Sequence, residues 1–162
     1  MRRFILTAAL ALALGACGGV PGDARISVMD WTPDGSSVTT WVIAPDGEGR
    51  VELGGGFARE GEAPRRRVSR RFSVGEEGYR EIRALLRSAE QYRDRGEVPC
   101  DGSPSSQAKS FVNYDSADGP DYRIEIGHGC NAGAARELLE KIAQGGARVR
   151  EWTANAPEET ER

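Results

Sequence analysis

The order of elements along the chain predicts an α+β domain, an antiparallel sheet packed by two α-helices. Three observations predict it. Residues 26–54 alternate apolar and polar side chains, with turn signals between the runs. Residues 73–92 and 131–143 carry their apolar side chains at helical spacing. Between those helices, residues 108–114 and 122–126 read as a hairpin. A run of strands, then a helix, a hairpin and a helix is the order of an α+β chain.

The first strand is residues 26–31, where Ile26, Val28 and Asp30 alternate with Ser27, Met29 and Trp31. Pro33-Asp34-Gly35 supplies a turn, since Pro pre-sets φ and Gly accepts positive φ. Residues 37–43 are β-branched and aromatic and form the second strand. Pro45-Asp46-Gly47 repeats the turn, and residues 50–54 give a third strand, completing a meander that ends in Gly54-Gly55-Gly56. A fourth strand spans roughly 66–73, with Arg67, Ser69, Arg71 and Ser73 on one face and Val68, Arg70 and Phe72 on the other. Ser73-Val74-Gly75-Glu76 fits a capping box for the first helix. Tyr79, Ile82, Leu85, Leu86, Ala89 and Tyr92 form its apolar stripe, and Gly96 is its expected stop. Asn131 is the expected N-cap of the second helix. Its stripe is Ala135, Leu138, Leu139 and Ile142, and Gly145-Gly146 is its expected end. Residues 153–162 are polar and acid-rich and are expected to be disordered.

The start of the chain addresses location. Met1-Arg2-Arg3 is basic, Phe4–Leu14 is an unbroken low-polarity run of 11 residues, and Leu14-Gly15-Ala16-Cys17 closes it. That is the layout of a secretory signal peptide, too short to span a bilayer, which takes roughly 20 residues. The small residues before Cys17 resemble the lipobox of bacterial lipoproteins. The resemblance implies cleavage before Cys17 and lipid on its thiol and new amino group. Gly18, where an inner-membrane lipoprotein often has Asp, implies the outer membrane facing the periplasm. The expected organisation is a leader over 1–16, a lipidated tether over 17–24, one domain over 25–152 and a tail over 153–162. The back half of the chain also looks like small proteobacterial lipoproteins of families that bring no known activity. The parts that carry this likeness are Ser73–Tyr92, Cys100, Ala108–Ile126, Asn131–Ala143 and Trp152.

Composition narrows the function. The leader takes two of the 22 basic side chains and none of the 25 acidic ones, leaving a net charge of −5. A general nucleic-acid binder needs a basic footprint, so nucleic acid is not an expected partner. With Cys17 lipidated, Cys100 and Cys130 remain as an even pair in an oxidising compartment and are expected to form a disulfide.

Four constellations bear on chemistry. Gly127-His128-Gly129-Cys130-Asn131 sits between a strand and a helix start. Its glycines, at 127, 129 and 133, miss the dinucleotide spacing by one, and the run reads as a tight turn aiming Cys130 at Cys100. His128 is the only histidine, and with a reduced Cys130 it would make a nucleophile and base. One His and two bridged cysteines are too few for a zinc site, and Asp115, Asp118 and Asp121 lack EF-hand spacing, so no metal or other cofactor is expected. Arg65, Arg66, Arg67, Arg70 and Arg71 concentrate positive charge and form a candidate surface for an anionic envelope component or an acidic protein. Trp31 and Trp41 flank the first turn and are expected at one end of the core.

The sequence therefore points to a non-enzymatic envelope lipoprotein. It would be held on the membrane through Cys17 and would bind an envelope protein or anionic component through the sheet or the arginine-rich strand. The alternatives are a small thiol-dependent enzyme or redox protein using Cys130 and His128, and a periplasmic enzyme inhibitor.

Overall fold

Strand pairing starts from the first strand of the domain, which has a partner on each side. The computed structural model describes residues 22–54, 67–100, 108–130 and 133–159. The leader, Cys17, Arg65, Arg66 and Asn131 lie outside the described residues. β1 (Arg25–Trp31) pairs with β2 (Val38–Ile43), which pairs with β3 (Glu48–Leu53) and then β4 (Val68–Ser73). On its other side β1 pairs with β5 (Lys109–Asp115), which pairs with β6 (Tyr122–Gly127). The result is one six-stranded antiparallel sheet in the order β4-β3-β2-β1-β5-β6. The fold class is α+β, as the sequence predicts.

Register explains the core. Opposite Val28 stand Trp41 on β2 and Val112 on β5, and opposite Ile26 stand Ile43 and Tyr114. All six are buried, so the period-two apolar series of three strands meet in adjoining rows on one face. Two helices cover that face: α1 (Gly75–Leu86) and α2 (Gly133–Thr153). α1 contributes Tyr79, Ile82 and Leu86, and α2 contributes Ala135, Leu138, Ile142 and Val149. Among the described residues, no helix is long and apolar enough to cross a membrane.

Four local expectations are corrected. The capping box is absent: Ser73 stays in β4 opposite Glu48, and Val74 is the N-cap with no side-chain bond. Strand pairing holds Ser73, the Val74 N–H donates to the Gly47 carbonyl at 3.1 Å, and the chain turns at Gly75 with φ +63°. α1 stops at Leu86, and Arg87–Tyr92 continue as a 3-10 segment before Gly96, whose φ of +72° ends the run. α2 does not end at Gly145-Gly146 but runs 21 residues, to Thr153. There the missing side chains let the helix lie on the Trp41 indole: a Cβ on Gly145 would stand 3.2 Å from Trp41 Cζ2. Finally, residues 154–159 are placed along β4. The Glu159 N–H donates to the Ser69 carbonyl at 2.8 Å, pairing with the exposed edge of the sheet.

Candidate functional site

β4 is where the sequence concentrates candidate binding charge, and the structure places that charge against the protein's own acids. Arg70 points to the helix side, donating to the Thr153 carbonyl at the end of α2 at 3.0 Å and to Glu158 at 3.2 Å. Arg71 pairs with Glu159 at 2.6 Å. Arg67 is exposed. Arg70 and Arg71 therefore anchor the C-terminal segment, and they do not form a free cationic patch.

The cysteine expectation holds. Cys100 and Cys130 form a disulfide with a Cα–Cα distance of 5.5 Å, joining the loop after Gly96 to the turn after β6. His128 and Gly129 make that turn, with Gly129 at φ +81°. Cys130 Sγ is bonded to sulfur, so it is not a thiol for His128 to activate.

His128 has another partner. The residue is 7% exposed, and its Nε2 lies 2.8 Å from the hydroxyl of Ser110, a residue with no exposed surface. The Ser110 hydroxyl donates to Asp30 Oδ1 at 2.7 Å. Pairing puts the three together. Asp30 stands opposite Thr39 on β2 and Ser110 opposite Ile126 on β6, each one step past the buried Val28–Val112 row on the same face. The His128 N–H donates to the Ala108 carbonyl at 3.0 Å, which fixes the turn beside β5.

The proton arrangement follows from valence. An ionised carboxylate only accepts, so the single hydroxyl proton of Ser110 goes to Asp30. The Ser110 oxygen then accepts from His128, and Nε2 carries the ring proton. Burial pushes the His128 imidazole below its ordinary range, against an opposing pull from the Asp30 charge. A neutral ring protonated on Nε2 keeps Nδ1 as an acceptor, and Nδ1 makes no hydrogen bond among the described residues. This is not the order of a serine nucleophile site. There the serine gives its proton to histidine, whereas here it gives it to aspartate and is sealed from solvent.

The chain of bonds reaches a half-open pocket of about 280 Å³ between the β1–β2 turn and α2. Asp30, Thr39 and His128 give it polar lining, Trp31 and Pro33 from the turn and Leu139 and Ala143 from α2 give it apolar lining, and Arg150 lines it too. The turn is fixed by its own bonds. Asp34 Oδ1 accepts from the Thr32 hydroxyl at 2.6 Å and from the Ser36 N–H at 3.0 Å, and these bonds hold the Asp34 carboxyl down at about 2.

Sequence reasoning singled out His128 but paired it with Cys130, and it missed Asp30, Ser110 and Arg150 as a group. A signal was present in the strands. Asp30 ends the inward series Ile26-Val28, and Ser110 opens the inward series before Val112 and Tyr114. Trp41 lies in the core at 1% exposure, whereas Trp31 is half-buried and lines the pocket. No protein-family model and no curated protein matches this chain.

Proposed function

We propose that this chain is a lipid-anchored, non-catalytic binding protein of the bacterial cell envelope, and that the pocket between the β1–β2 turn and α2 is its ligand site. One observation carries the choice of site. Asp30 is half-buried and lines the pocket, accepts one hydrogen bond from Ser110, and has no cationic partner among the described residues. A charge withdrawn from water without a counter-charge is costly, and a bound ligand relieves the cost. The leader and Cys17 support the anchor, and the arginine strand, engaged with the C-terminal acids, is set aside as the main contact surface.

The test has two arms. The mature protein, extracted from membranes, is expected to carry acyl chains on Cys17, and Cys17→Ser is expected to leave the membrane fraction. Thermal denaturation against a panel of small polar metabolites is expected to yield at least one compound that raises the melting temperature of the wild type. The same compound should leave Ala143→Trp, whose side chain fills the pocket, unchanged. A panel that shifts both proteins equally, or neither, refutes the site.

A further inference from the structure

A second charge lines the pocket, on the exposed residue Arg150. Its guanidinium makes no ion pair with Asp30 or any other described acid. A Cβ on Gly146 would stand 3.6 Å from Arg150 Nη1 and 3.8 Å from Trp41 Nε1, so the two donors lie near one point of α2. That indole N–H is buried and has no acceptor among the described residues. Asp30 and His128 line the same pocket, and among the described residues Asp30 Oδ2 and His128 Nδ1 make no hydrogen bond. One anion and one cation thus line the same small cavity without neutralising each other. Such a pair complements a molecule carrying both charges. The apolar lining is Trp31, Pro33, Leu139 and Ala143, which suits an apolar substituent. At about 280 Å³ the space falls just below the 300–1,000 Å³ of drug-sized sites and fits something small.

We infer that the ligand is a small zwitterion of the amino-acid type with an apolar side chain, its ammonium on Asp30 and its carboxylate on Arg150. This rests on the pocket being the ligand site. The ammonium donates to the Asp30 carboxylate and to His128 Nδ1, and the carboxylate accepts from the guanidinium. Each charge-assisted contact is worth roughly 10- to 100-fold in affinity.

Three probes of one shape separate the contributions: L-leucine, 3-methylbutylamine, which lacks the carboxylate, and 4-methylpentanoate, which lacks the ammonium. Titration calorimetry on the folded, disulfide-intact protein is expected to show leucine binding at least tenfold more tightly than either analogue. Arg150→Gln should erase the advantage of leucine over the amine. Asp30→Asn should erase its advantage over the acid. Among the described residues the exposed Arg150 side chain makes no hydrogen bond or ion pair, so its replacement carries little folding risk and keeps the test decisive if Asp30→Asn unfolds. Equal binding of leucine and the amine, unaffected by Arg150→Gln, overturns the zwitterion. A metabolite that needs an open pocket, alongside no binding of leucine, also overturns it while leaving the pocket assignment standing. Failure of every compound defeats both.

Discussion

Gly145 and Gly146 are adjacent in α2, yet the structure predicts opposite responses to the same substitution. Replacing a helix-interior glycine with alanine gains about 0.5–1 kcal/mol from backbone entropy and helix propensity. At Gly146 the new Cβ would lie 3.6 Å from Arg150 Nη1 and 3.8 Å from Trp41 Nε1, both ordinary contacts. Gly146→Ala should therefore stabilise the fold by about 0.5–1 kcal/mol. At Gly145 the Cβ would lie 3.2 Å from Trp41 Cζ2, 3.5 Å from its Cη2 and 3.7 Å from Ile82 Cδ1. Trp41 and Ile82 are sealed in the core at 1% and 0% exposure, and neither can step aside without displacing its neighbours. Overpacking of this kind costs about 1–3 kcal/mol and outweighs the propensity gain. Gly145→Ala should thus destabilise by up to about 2 kcal/mol. Urea unfolding of both single variants measures the contrast. If Gly145→Ala gains as much as Gly146→Ala, the helix does not lie on the Trp41 ring as described.

Replacing both Cys100 and Cys130 by Ser releases a loop of 29 intervening residues and should cost about 3–4 kcal/mol, or roughly 10 °C in melting temperature; a melt unchanged within error would show that the bridge does not constrain the chain. His128 is held neutral by burial, so below its ordinary value of 6.5 the unfolded state takes up a proton that the folded state resists. Stability is therefore full above pH 6.5 and falls as pH drops below it, and His128→Gln should flatten the curve below pH 6.5 in chemical denaturation. Arg70→Gln should cost about 1–3 kcal/mol by removing the charged donor from the Thr153 carbonyl, whereas Arg71→Ala, which loses an exposed pair, should cost no more than about 1 kcal/mol. Equal losses in the two arginine variants would contradict the placement of Arg70 beneath the end of α2.

What was legible in the sequence follows the range over which each signal acts. Alternation in Ile26-Val28 and Tyr122-Ile124-Ile126, and the stripe of Tyr79, Ile82 and Leu86, are properties of one segment, and strands and helices appear where these patterns lie. Three of the four misread ends were decided by other segments. Ser73 is a good cap by chemistry, but pairing with Glu48 keeps it in β4. Gly145-Gly146 is a good stop by propensity, but the indole beneath it turns a helix breaker into a point of close approach. The acid-rich tail looks unstructured alone and becomes placed because the β4 edge offers a carbonyl and two arginines. The candidate site was hidden for the same reason. Asp30, Ser110, His128 and Arg150 span 121 positions of sequence; register sets the first two side by side, and the turn after β6 brings His128 onto Ser110.

Three polar side chains project from the strands toward the helix side of the sheet at informative places, and they differ in how fully the fold answers them. Ser110 has a donor in His128 and an acceptor in Asp30, so its buried hydroxyl is complete. Arg70 spends its two terminal nitrogens on the Thr153 carbonyl and Glu158, so its charge is matched although its Nε is not. Asp30 receives one neutral hydrogen bond and no counter-charge among the described residues. A folded chain that can place arginines against acids at β4 has the means to neutralise a carboxylate, and a lysine or arginine at Thr39, directly across β2, would serve. Leaving the charge open costs stability, since it is partly withdrawn from water. The exception also falls where the sheet and α2 separate into a pocket, and not within the packed rows beside it. That coincidence of an unmatched charge with open volume is why the functional reading rests on Asp30 and not on the larger charge cluster of β4.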